Sequence, residues 1–279
     1  MTLDLARQNW KTLSAKRQDI TADLLRPTTR DAAYLGALDD LEENHLWSAG
    51  SENLPTWAQR AVDGLIHDQR WYQIPEQDSV SIADFPVTNL EFEAFCPAHR
   101  RWRDQYSAQD DQPAIYVSWY MATQFAKWLS AVDPRYSYRL PTENAWEAAC
   151  RWRTNADWDY WWGKEMNDDL CWYGAFFGNG PAKVDKRARS HSEAIEAYKS
   201  ARQWHPSRDE EPQVPRSGLV DMLGNVGEWC ADWYDYSESV RVVRGGSWDH
   251  FAVGCCSACR YFSSPDHRLY FIGFRLVRV

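Results

Sequence analysis

The chain has 279 residues, 44% of them hydrophobic, with 31 basic and 40 acidic side chains for a net charge of −9. That length and apolar content support a globular body with a sizeable core, one large domain or one domain with an extension, and the acidic balance argues against a nucleic-acid backbone as partner, which needs clustered Lys and Arg. There is no apolar N-terminal stretch and no run of about 18 apolar residues, so neither a signal peptide nor a membrane span is expected and the cytoplasm is the default.

In chain order, Leu3 to Leu25, Thr29 to Trp47 and Pro55 to Ile66 each show helical spacing of apolar residues, broken at Pro27 and at Gly50-Ser51. Residues 1–67 therefore read as a helical N-terminal extension, packed on the main domain or docking a partner, and residues 68–279 as the main domain. Alternation from Arg70 to Ile82 predicts its first strands. Thr88-Asn89-Leu90-Glu91 is a capping-box pattern ahead of Phe92 and Phe95, so a helix starts there. The basic run His99-Arg100-Arg101-Trp102-Arg103 reads as solvated surface. Ser118 to Val132 is a second amphipathic helix with Trp119, Phe125, Trp128 and Leu129 on its apolar side, and Thr142 caps a third that turns Trp146, Ala149 and Cys150 inward. Residues 153–217 show little periodicity and predict long irregular loops that need fixing, often by a metal ion. Val240 to Val243 and Phe271 to Val279 predict strands that pair as neighbours. Seventeen Trp and fourteen Tyr imply an aromatic core rich in loops. Seven cysteines, an odd number without an export signal, favour reduced thiols over a disulfide framework.

The tail is compositionally restricted. From Asp249 to Val279 there is no Lys, Glu, Gln, Met or Trp, although residues 1–248 hold 55 of these five types. Uniform composition would place about seven of them in the last 31 residues. None of the five can be encoded by a codon ending in C, whereas Asp249, His250, Phe251, Val253, Gly254, Cys256, Cys259, Tyr261, Phe262, Ser263, His267, Leu269, Tyr270 and Phe271 all can.

Six ordered motifs carry a resemblance over residues 70–279. They are Pro86-Val87-Thr88-Asn89; Val117-Ser118-Trp119 with Ala122; Tyr138 to Glu143 with Trp146-Glu147; Asp221 to Val226 with Glu228-Trp229; Arg244-Gly245-Gly246-Ser247-Trp248; and Gly273-Phe274-Arg275. This set resembles the formylglycine-generating-enzyme, or sulfatase-modifying-factor, superfamily. The resemblance implies an α+β protein with the C-type lectin fold as elaborated there; periodicity alone says only mixed α+β. Within the superfamily the tail is most similar to the variable proteins of diversity-generating retroelements, in which a mutagenic reverse transcriptase acts on the gene, not the protein, and turns AAC codons into NNC. On that likeness 249–271 is a variable region, the fourteen residues above its displayed ligand-binding positions, and Ser257-Ala258, Arg260, Pro265-Asp266 and Arg268 its fixed frame. The implied function is non-enzymatic binding of a ligand, a protein rather than a small solute, since exposed aromatic side chains supply rigid contact area.

The same resemblance offers a rival. Oxidases of the superfamily carry two cysteines, two and seven positions after the motif's last residue, that bind Cu(I). Here those positions hold His250 and Cys255, so Cys255 alone remains as a candidate catalytic thiol. Cys256-Ser257-Ala258-Cys259 is a CxxC, elsewhere a redox pair or half a zinc site, here readable as a chance product of NNC codons. Asp221, Gly224, Val226 and Glu228 match the superfamily's calcium-binding turn, which implies a structural Ca²⁺, with a metal-free turn as the alternative.

Overall fold

The computed structural model describes residues 54–152, 154, 157–174, 187–203 and 218–279. The helices expected over Leu3–Leu25 and Thr29–Trp47 lie outside them. The third is present as α1 (Thr56–Ile66), which buries Ala58, Ala61, Val62 and Leu65 at helical spacing. This face packs on α2 and enters the same apolar cluster as the helices that follow. The tie continues past its end, where Trp71 Nε1 donates to the Leu65 carbonyl at 2.9 Å.

Strands β1 (Trp71–Gln73) and β2 (Ser81–Ala83) lie where alternation predicts the first strands, and they pair antiparallel. The capping box is complete at α2 (Asn89–Phe95): Thr88 Oγ1 accepts from Glu91 N while Glu91 accepts from Thr88 N. Ser118 and Thr142 likewise cap α3 (Trp119–Val132) and α4 (Glu143–Arg151) through Met121 N and Ala145 N. Between α3 and α4 lies β3 (Tyr138–Arg139). The supposed solvated run is only partly so: His99 is buried, with its ring on the Ile115 carbonyl, and Arg103 is paired with Glu93.

One helix was not expected. Within 153–217 the chain forms α5 (His191–Gln203), opened by a second capping box in which Ser190 Oγ accepts from Glu193 N and Glu193 accepts from Ser190 N. Its apolar content is too sparse to register as a period, but Ser190-x-x-Glu193 was there to be read.

The C-terminal half builds a second sheet from β4 (Gly227–Trp233), β5 (Arg241–Arg244), β6 (Arg260–Ser263) and β7 (Ile272–Gly273), in the order β6-β5-β4-β7. The last strand, β8 (Val277–Arg278), instead joins the first sheet, ordered β1-β2-β8-β3. The two C-terminal strand segments are thus not neighbours: β4 separates β5 from β7, and β7 runs parallel to β4. The cause lies in the three residues after Ile272. Phe274 enters the ring cluster of Phe92 and Phe125 at 5.9 and 5.6 Å, and Arg275 is drawn to Glu228 on β4, so the chain crosses from one sheet to the other. No helix among the described residues is long and apolar enough to cross a membrane.

Candidate functional site

Beneath the tail lies a charged knot. Glu228 and Arg275 are both fully buried, and the guanidinium meets the carboxylate through two bonds, Nε to Oε2 and Nη2 to Oε1, each 2.7 Å. Trp146 Nε1 donates a third at 2.7 Å. Burial pushes the Glu228 carboxyl up, against the downward pull of Arg275 and Trp146. The rest of Arg275 serves the carbonyls of Ala83, Asp84, Val220 and Asp221, which splices the chain end to two distant loops. Asp221 is engaged by the Arg189 guanidinium and by Asn225 Nδ2 at 2.9 Å. Gly224, at φ +74°, lets the turn pass so close to Trp172 that a Cβ would stand 2.5 Å from its carbonyl oxygen; its N–H goes to the Gly245 carbonyl, and Val226 packs with Ile115 and Trp248.

This arrangement does not fit Ca²⁺, which takes six to eight oxygen ligands. Both carboxylates of the expected set, Asp221 and Glu228, already face arginine. Among the described residues no three His, Cys, Asp or Glu gather where they could hold a metal ion. Arg189, the partner of Asp221, comes from the aperiodic stretch before α5 and had no signal in the sequence.

Above the knot, the residues expected to be the fixed frame hold the tail to the body. Arg244, fully buried, donates to the carbonyls of Ser257 (2.9 Å), Ala258 (3.0 Å) and Cys259 (3.0 Å) while pairing with Glu147. Ser257 N donates to the Asp159 carbonyl at 2.7 Å, Pro265 accepts from Trp119 N at 3.0 Å, and Arg268 Nε reaches the Tyr116 carbonyl at 2.8 Å with its cation over Trp102. Arg260 lies over Tyr234 and pairs with Glu143.

The fourteen candidate positions separate by depth. Phe251, Val253 and Phe262 are 49%, 78% and 58% exposed, whereas most large apolar side chains of the described residues are covered. Asp249, His250, Gly254, Cys256, Cys259, Tyr261, His267, Leu269, Tyr270 and Phe271 are half-buried, and Ser263 is buried. Several of the half-buried ones are tied locally. Tyr261 OH donates to the Gly254 carbonyl at 2.8 Å, Ser263 Oγ meets His267 Nδ1 at 2.8 Å, and Ser247 Oγ meets His250 Nδ1 at 2.6 Å. Burial lowers the pKa of His250, so its ring is held neutral. Leu269 and Phe271 lean on the core.

Tyr270 and Asp249 belong to a second grouping. Tyr270 OH donates to Asp249 at 2.8 Å, and its ring lies 5.1 Å from Tyr106 and 5.5 Å from Trp248. Tyr116 OH donates to Asp104 close by. Tyr106, Tyr116 and Asp104 come from the segment between α2 and α3, and nothing in their spacing marked them. The face is thus tail-derived at β6 and shared with the body at Tyr270.

The cysteines depart from the all-reduced expectation. Cys256 and Cys259 are bonded to each other, and the other five are free and buried. Cys255 is fully buried, with Sγ 3.7 Å from the Ser247 carbonyl and packed over Gly246. Its thiol neighbour is Cys171, pushed well up by burial and by Cys255 itself. His250 faces Ser247, so the positions occupied by two cysteines in the oxidases do not form a pair of sulfurs here.

Residues 70–279 match the model of the sulfatase-modifying factor enzyme 1-like domain. The formylglycine-generating enzyme of Streptomyces coelicolor is 28% identical over 191 residues, 62% of this chain and 54% of that protein. Among solved structures, PvdO from Pseudomonas aeruginosa is similar with a TM-score of 0.51 at 20% identity, over 75% of this chain and 90% of that one. Treponema denticola variable protein 1 is similar with a TM-score of 0.47, also at 20% identity and over the same shares. The chain spans about half the length of the curated relatives it matches. At such identity the likeness to PvdO speaks for the α+β fold expected from the motifs and not for an activity.

Proposed function

The chain belongs to the sulfatase-modifying factor enzyme 1-like domain family, and from that premise we propose that it is a non-enzymatic ligand-binding protein whose tail displays a retroelement-diversified surface for recognising another protein. One observation carries the reading. Phe251, Val253 and Phe262 turn large apolar side chains to solvent inside the stretch whose residue types are all compatible with NNC codons. Exposed aromatic and branched side chains cost solubility unless they meet a partner, and they favour a protein surface over a small polar solute. The decisive test is the flanking DNA. A near-identical repeat carrying adenines where codons 249–271 differ, beside a reverse transcriptase gene, is expected; absence of both overturns the diversification. Binding is tested separately: a library with NNC at codons 251, 253 and 262, displayed and selected against purified proteins, should yield ligand-specific variants that stay folded.

The rival reading, oxidation through Cys255, has the retained cysteine in its favour. Against it stand the burial of Cys255 and the engagement of His250 by Ser247. Tight Cu(I) binding that disappears in Cys255→Ser would reverse the preference. A cytoplasmic location belongs to the same proposal, and a closed Cys256–Cys259 bond weighs against it, since cytosolic thiols are kept reduced.

A further inference from the structure

Recognition by exchanged side chains makes no use of the bond between Cys256 and Cys259. That bond closes a turn of four residues, and the stabilisation a disulfide adds shrinks as the loop it closes becomes shorter. The turn is moreover held without it. Arg244 grips the carbonyls of Ser257, Ala258 and Cys259, Ser257 N is anchored on Asp159, and Cys259 N donates to the Cys256 carbonyl at 3.1 Å. Opening the bond therefore leaves the two sulfurs facing each other on a fixed backbone.

The sulfurs are unequal. Cys256 packs against the core, whereas Cys259 Sγ sits on the rim, 3.2 Å from the carbonyl oxygen of the exposed Val253 and beside the exposed Ala258. The five remaining cysteines are all buried. Burial pushes the thiols of Cys96 and Cys150 up to about 11 and about 12, which leaves them almost without nucleophilic thiolate. Reactivity toward sulfur is thus confined to one place, in the middle of the tail's exposed side chains.

We propose that Cys256 and Cys259 form a thiol–disulfide exchange site that takes a partner's thiol as its substrate and holds it reversibly on Cys259. The partner thiolate attacks Cys259 Sγ, a new S–S bond forms there, the Cys256–Cys259 bond breaks, and its electron pair remains on Cys256 Sγ, which takes a proton from solvent. In the reverse step the Cys256 thiolate attacks Cys259 Sγ, expels the partner thiolate and restores the original bond. No other oxidant or reductant enters. The site does not depend on how the tail acquired its residues, nor on contact recognition by Phe251, Val253 and Phe262.

The experiment uses the full chain, with glutathione in one arm and a cysteine-containing peptide flanked by apolar residues in the other. Acid-quenched intact mass and peptide mapping follow the products. Either thiol is expected to open the pair at least about tenfold faster than iodoacetamide modifies any of the five buried cysteines. Cys256→Ser, offered the oxidised form of the probe, should hold the adduct on Cys259, while Cys259→Ser should take it up on Cys256 about tenfold more slowly. A faster peptide arm assigns the source to protein cysteines, and equal arms assign it to small thiols. Resistance of the pair until the chain is denatured, equal adduct on either sulfur, or a pair of thiols that oxidised glutathione fails to join would each overturn the site. So would a melting temperature that collapses on reduction, because that marks a bond with a structural task.

Discussion

His99 sits where the chain leaves α2, fully enclosed, with Nε2 donating to the Ile115 carbonyl at 2.8 Å. Burial, with the nearby Arg268 and Arg103 adding to it, lowers its pKa from 6.5 to about 4. The folded ring is neutral in that window while the unfolded ring takes up a proton, so stability is full above about pH 6.5 and falls as pH drops toward 4. The loss is on the order of 3 kcal/mol. Chemical denaturation of His99→Gln against the parent, between pH 7 and 4, should show a flatter dependence in the variant. At the other extreme, Val253→Asp is expected to shift unfolding by no more than about 0.5 kcal/mol, because its side chain ends in solvent. A drop several times larger would mean that this position carries packing. The restricted alphabet singles out the tail positions without grading them: residue types alone do not tell that Ser263 is covered while Val253 stands clear.

Among the elements, the knot that joins β4 to the segment before β8 is the most consequential. Glu228→Gln leaves the Arg275 cation buried with half its partner gone, and breaking a buried pair from one side costs about 3–5 kcal/mol. Thermal melts and urea titrations read this directly. Because both carboxylates of the turn face arginine, calorimetric titration of chelator-treated protein with Ca²⁺ should give no binding heat, in Glu228→Gln or in the parent. Strong heat from the parent alone would restore the calcium turn. Ser190→Ala removes the cap of α5 and should cost about 1 kcal/mol. Legibility followed the same physics: caps at Thr88, Ser118 and Thr142 stand before strong apolar periods and could be read, while Ser190 stands before a weak one. The strand partners of β7 could not be read at all, since a parallel pairing across 45 residues leaves no mark on local alternation.

For the whole molecule, α1 and the tail mark two ends of one core. Ala58, Val62 and Leu65 share a cluster with Phe92, Phe125 and Phe274, so a chain lacking residues 1–67 should melt markedly lower than one lacking only 1–53. Size-exclusion chromatography of both truncations also tests whether the N-terminal residues assemble copies of the chain. Texture alone marks a division at residue 67 and leaves open whether the preceding helix packs on the main domain or docks a partner; the side chains of α1 enter the core with α2. Finally, Arg244 fastens the loop solely by backbone oxygens. Every amino acid carries that atom in the same place, so a substitution at 258 or 259 meets the same clamp whatever its side chain. The loop's geometry is therefore set by a residue that lies outside it, whichever side chains the loop displays.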